Sequence, residues 1–123
     1  MQLISLGLAT AITCLALITH VTIGTAQNAA PILDDKSLPE APRHTLTFSW
    51  KANSILMLFM SIGFGMGFVQ EIGPLVLYNA LLAGGLAIAA SFVAIQSGLN
   101  PLKFPPMPLF TCIAFFGLCS YFL

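Results

Sequence analysis

The chain has 123 residues, of which 58% are apolar and only 7% charged, four basic and four acidic. A soluble domain of this length carries about 25% charged residues, roughly 30 side chains, because so much of its surface must meet water. So sparse a set excludes an ordinary soluble enzyme, and zero formal net charge offers nothing to a nucleic acid. What remains is an integral membrane protein.

The first apolar stretch predicts a helix over 3–25, with no charged residue. A helix rises 1.5 Å per residue and the hydrocarbon core is about 30 Å thick, so about 23 residues suffice to span. Gly24-Thr25-Ala26 has the small residues of a signal-peptide cleavage site. However, no basic residue precedes the apolar run, and the run is longer than a signal core. Segment 1–26 therefore reads as a retained span. The competing reading is a cleaved signal and three remaining spans, in an envelope or endoplasmic-reticulum subunit.

His20 is the one ionisable group inside this stretch, about 9 Å from its midpoint by helical rise. Intramembrane ionisable groups are the first functional candidates. Three roles compete for it: a neutral, hydrogen-bonded imidazole at a helix contact or the interface, an axial ligand to a metal-centred cofactor, or a proton carrier. One imidazole suffices for chlorophyll magnesium. A bis-histidine haem would need a second ligand from another chain, because His44 lies outside the apolar runs. Chlorophyll or carotenoid is thus the first cofactor expectation, with haem behind it.

The polar segment 26–51 holds Asp34, Asp35, Lys36, Glu40, Arg43, His44 and Lys51, together with Pro31, Pro39 and Pro42. Three prolines in so short a segment predict an irregular surface loop. Asp34-Asp35 supplies too few carboxylates for a metal site. Trp50 beside Lys51 is the pairing expected at the mouth of a span.

Helices over 52–70 and 74–96 follow, joined by a very short link. Gly73 is expected to permit the turn and Pro74 to open the next helix. Residues 52–95 then form a tight helical hairpin. Its first arm carries the small-residue pairs Ser61/Gly65 and Gly63/Gly67, and its second Ala80/Gly84, Ala83/Ala87 and Gly85/Ala89. Small residues let helix backbones approach closely in lipid. They serve either closure of the hairpin or an oligomerisation face, and leucine at Gly65 or Gly84 is expected to disrupt assembly. Gly63-x-Gly65-x-Gly67 lacks the spacing and strand context of a nucleotide loop. Asn79 and Gln96, near the ends of the second arm, are candidates for a helix–helix hydrogen bond or for a cofactor contact. Glu71 at the hairpin tip is expected to be solvated at the interface; the competing roles are binding of a proton, an ion or a partner's arginine.

The segment 97–106 contains Asn100-Pro101 and Pro105-Pro106 and reads as a stiff, extended loop. A short helix over 107–123 closes the chain, marginal for a full crossing. The phenylalanines, including Phe59, Phe64, Phe68, Phe92, Phe110 and Phe115, are expected to face lipid, partners or pigments. Cys14, Cys112 and Cys119 fall inside apolar runs, form no CxxC pair and read as small buried residues.

The fold expectation is an all-α integral membrane protein of three to four transmembrane helices, forming one membrane domain. No Ser/His/Asp set, HExxH or P-loop is present in the sequence. The expected role is non-catalytic: an accessory subunit of a multisubunit energy-transducing complex, photosynthetic slightly ahead of respiratory. Its expected partners are larger membrane subunits and lipids, not nucleic acid or a soluble small-molecule substrate. A small homo-oligomeric channel is the alternative; its candidate polar stripe is Thr10, Thr13, Thr19 and Thr22.

With four spans, Lys36, Arg43, Lys51 and Lys103 share one side, and Glu71 takes the other with both termini. Basic connections mark the cytoplasmic, stromal or matrix face. A membrane-impermeant thiol label should therefore react from that face with a cysteine placed at Lys36 or Lys103, and from the opposite face with one at Glu71. Labelling of Lys36 and Glu71 positions from the same face would refute the arrangement.

Overall fold

A computed structural model describes residues 2–123. Among them 88% are helical and there are no strands, so nearly every backbone polar group finds its partner within its own helix, as lipid requires. Four rods make up the fold: α1 (Gln2–Leu33), α2 (Glu40–Gln70), α3 (Gly73–Gln96) and α4 (Pro106–Phe122). The first three are long and apolar enough to cross a membrane. The 17 residues of α4 give about 25 Å by helical rise. The protein is an all-α membrane protein.

Each rod packs on its neighbours in sequence, and α4 returns to α1, which closes an up-down-up-down ring. The buried apolar stripe of α3 is Val76, Ala80, Ala83, Ala87, Ala90 and Ala94, with Asn79 buried beside it. Steps of three and four along it keep one seam towards its neighbours, and the small side chains bring α4 close. At the centre the Phe64 ring is fully buried. It lies against Gly117 of α4, where a Cβ would come within 3.1 Å of the ring and 2.8 Å of the Ala80 methyl. Three helices therefore meet at one point, and only glycine fits there without displacement.

The hairpin between α2 and α3 is present, and its arms touch through Gly63 against Asn79 and Gly67 against Val76. Four expectations need correction here. First, the left-handed residue of the turn is Glu71 (φ 56°, ψ 36°), not Gly73, which is the first residue of α3. Pro74 follows at the second position, where its missing N–H is no loss. Second, the small-residue pairs split between faces. Gly63, Gly67 and Ala80 are buried and Ser61 with them, whereas Gly65 and Gly85 have no neighbour within 4 Å. Gly84 only grazes Ala114. Residues two apart on a helix cannot face the same neighbour. Third, Phe64 and Phe110 are core residues, while Phe59, Phe68, Phe92 and Phe115 face outward. Fourth, Cys112 is exposed on the outer surface rather than buried.

The largest departure concerns 26–51. Only Asp34–Pro39 interrupts the helix. The prolines are accommodated by position. Pro39 caps α2 and Pro42 is its third residue, within the first turn, whose N–H groups have no intrahelical partner. Pro31 follows a π-helical segment, His20–Ala29, in which the Ala30 N–H donates five residues back to the Thr25 carbonyl. Such a turn is wider than an α turn and makes room for the ring, which in an α-helix would strike the carbonyl four residues back. The segment 97–106 is likewise more compact than expected. Gly98 (φ 69°) closes α3, with Leu99 N–H donating to Ala94 and Gly98 N–H to Ile95, the paired bonds of a Schellman cap. A 3₁₀ turn, Pro101–Lys103, follows, and the Asn100 side chain accepts from the Leu102 N–H at 3.0 Å.

The crowding at Gly117 sets a quantitative expectation. Gly117→Ala should lower stability by about 1–3 kcal/mol through overpacking, read as the thermal loss of helical circular dichroism in detergent micelles. Gly85→Ala, in open space, should leave the transition unchanged or raise it. Equal effects of the two would mean that the Phe64 contact does not hold the bundle.

Candidate functional site

The π-helical segment of α1 brings His20, Gly24 and Thr25 opposite Trp50 of α2. The imidazole stacks on the indole with ring centroids 4.1 Å apart and planes inclined by 22°. The indole Nε1–H donates to Thr25 Oγ1 at 3.1 Å, and the Thr25 hydroxyl donates in turn to the His20 carbonyl at 3.2 Å, five residues back. The indole also covers Gly24, where a Cβ would meet its six-membered ring at 3.4 Å. His20 Nε2 lies 3.5 Å from the Trp50 carbonyl, which already accepts from the Ser54 hydroxyl at 3.2 Å.

This cluster sits where a helix begun near Leu3 has risen about 30 Å, the thickness of the hydrocarbon. An indole with an apolar body and a bonded N–H belongs at that level. His20 is therefore engaged within the chain, by stacking and by a long contact to a carbonyl. No carboxylate stands among its contacts to exchange a proton with it. Trp50 was legible in the sequence as an interface residue and His20 as a candidate ligand. Their meeting was not, nor was the part played by Gly24 and Thr25, because it depends on the π turn.

The other candidates do not join this cluster. Gln96 is the last residue of α3 and exposed. Asn79 is buried between α2 and α3 against Gly63, and its Nδ2 has no hydrogen-bond partner. The expected helix–helix bond from that donor is not formed. Glu71 is exposed at the opposite end of the bundle, in the turn between α2 and α3.

Polar groups in the spans are spent locally. Thr10, Thr13, Thr19 and Thr22 donate to carbonyls four residues back in their own helix, at 2.7–2.9 Å. Ser61 and Ser91 do the same within α2 and α3, and Ser120 donates three residues back, to the Gly117 carbonyl of α4. Outside the spans, Asp35 is committed to the α1–α2 turn. Its Oδ1 accepts from the Ser37 N–H at 2.8 Å, and hydrogen bonds from the Ser37 side chain and then its backbone hold the carboxyl below its ordinary value of 3.8. The exposed His44–Glu40 pair, 3.3 Å apart, spans one turn of α2.

No family model matches this chain, nor does any curated protein or any solved structure.

The indole–threonine bond can be weighed directly. Trp50→Phe and Thr25→Val should each cost about 1 kcal/mol of stability. Their effects should not add in the double variant, because both remove the same bond. Micellar unfolding of the four proteins checks this. Full additivity would mean that the bond contributes nothing. His20→Ala should also change the emission of Trp50, the sole tryptophan.

Proposed function

We propose that the chain is a non-catalytic structural subunit of a multisubunit energy-transducing membrane complex, filling a gap between larger subunits and stabilising their assembly. One observation carries the reading: the bundle closes its own core around Phe64 and leaves Gly85 and Ala89 exposed side by side on the outer face of α3. Gly85 has nothing within 4 Å. A flat, small-residue strip in lipid lets a foreign helix approach to backbone distance, and the fold itself makes no use of it. Large exposed apolar side chains along one side of the strip, Leu81, Ile88 and Phe92, give such a partner helix a ridge to pack against.

The energy-transducing setting is a class-level analogy, since such complexes contain many small apolar subunits. A photosynthetic setting draws on His20 as a pigment ligand, and with His20 stacked on Trp50 that ground is weak. Thylakoid and mitochondrial inner membranes therefore stand level, with the basic connections on the stromal or matrix side, or on the cytoplasmic side in a bacterium. The channel reading draws on the threonine stripe of α1, whose hydroxyls turn back onto their own helix.

Open space at Gly85 and Gly65 makes a selective experiment. Gly85→Leu and Gly65→Leu should leave micellar stability of the isolated bundle within about 0.5 kcal/mol, as surface substitutions do. On native gels of mildly solubilised membranes, wild type should run in a band of several times its own mass, and Gly85→Leu should be depleted from it. The in-gel absorption of that band would identify the complex. A small colourless homo-oligomer, unchanged by Gly85→Leu, would refute the proposal.

A further inference from the structure

At the end of the bundle away from Trp50, all four helices contribute to a cavity of about 390 Å³. Leu6 and Val76, both nearly buried, are apolar lining. Phe68 and Tyr121 add aromatic rings, and Glu71 adds a carboxylate. Gly73 also lines it, where a Cβ would lie 3.5 Å from the Tyr121 ring. The volume falls in the range of small-ligand sites, and its mixed lining, apolar and aromatic walls with the polar side chains of Gln2, Glu71 and Ser120, has the pattern of a binding site.

Charge decides what fits. Lys36, Arg43, Lys51 and Lys103 all lie at the other end, in or beside the α1–α2 turn, on the first half of α2 and in the 3₁₀ turn. Glu71 is the only formal side-chain charge among the described residues at this end, and it makes no ion pair. An anion would be repelled. Calcium takes about six to eight oxygen ligands and zinc about four nitrogen, sulfur or oxygen ligands, whereas this lining offers one carboxylate with the Gln2 and Ser120 side chains, and no group of three His, Cys, Asp or Glu stands together among the described residues. An ammonium group is the complement: a carboxylate neutralises it and aromatic faces attract it. The apolar lining requires that it arrive on a hydrocarbon stem. Glu71 also keeps its place in a left-handed turn position where glycine is the default residue.

We propose that this cavity binds an alkylammonium group, with Glu71 as its counter-ion and Phe68 and Tyr121 as its aromatic walls. The chemistry has two sources. One is the amine headgroup of a phospholipid, whose two-carbon stem would carry the ammonium into the cavity and leave the phosphate outside it, away from Glu71. The other is a free alkylamine.

The test uses the full chain purified in a neutral maltoside detergent, with octylamine as probe and octanol as its uncharged counterpart. Octylamine should raise the unfolding temperature in a saturable way and octanol should not. Glu71→Gln should weaken octylamine binding roughly ten-fold, the size of a partly desolvated ion pair with a cation–π contact. Glu71→Asp should retain part of it. Gly73→Leu keeps the carboxylate but fills the cavity beside Tyr121, and should abolish binding. Native mass spectrometry of the extracted protein separates the sources. Retention of an amine-headed phospholipid by wild type and its loss in Glu71→Gln assigns the lipid, whereas octylamine binding without a retained lipid assigns a free amine. Equal response to octanol and octylamine, or octylamine binding untouched by both Glu71→Gln and Gly73→Leu, overturns the proposal.

Discussion

The contact of the Phe64 ring with Gly117 and Ala80 is the constraint on which the bundle turns. In lipid there is no water to drive apolar faces together, so helices associate through close dispersion contact and the few polar bonds between them. Phe64, with Met60 and Ile113, supplies the bulk that fills the centre of a ring whose other core positions include six alanines. Gly117 lets that bulk reach across from α2 to α4, and Ala80 lets α3 close on both. The registers of Gly63 with Asn79 and of Gly67 with Val76 then follow along the same arms.

A core held by shape needs its polar groups settled elsewhere, and here they are settled within each helix. The serine and threonine hydroxyls of the spans donate to carbonyls of the preceding turn. Asn79 departs from this rule: its buried Nδ2 lies against Gly63 without a partner. The polar bonds between helices collect instead at the Trp50 level, where water and headgroups reduce their cost. The bundle thus divides into a dry centre specified by packing, a belt specified by hydrogen bonds, and a far end where Glu71 has no basic side chain beside it among the described residues.

Much of this architecture was legible in the sequence. Charge-free runs gave the spans, and the link between Gln70 and Pro74 was too short for anything but a hairpin. The functional residues were less legible, for physical reasons. Proline was read as a helix breaker, yet its cost depends on whether its N–H and ring fall in the first turn, and Pro39 and Pro42 fall there. Small residues were counted as pairs, but a difference of two positions sends Gly63 and Gly65 to different faces. Phe64 looked like Phe59 and Phe68 until the glycine opposite it, fifty-three positions away in α4, was known. Glu71 was expected to be solvated and is exposed, but its left-handed backbone was not foreseen, because no local rule places a carboxylate at such a turn position.

The continuation of α1 and α2 as helix beyond Trp50 changes what the charges at that end can sense. Trp50 lies eleven residues beyond Pro39, so the turn at Asp34–Pro39 stands about 16 Å above the hydrocarbon boundary. Headgroups occupy about 5–8 Å of that height. The remainder is about one Debye length at physiological salt. The surface potential of the bilayer is therefore largely screened at Asp34, Asp35 and Lys36, whereas Lys51 sits inside it. The post carries two kinds of charge: one at its foot that senses lipid, and a group at its tip that senses only what approaches from the water.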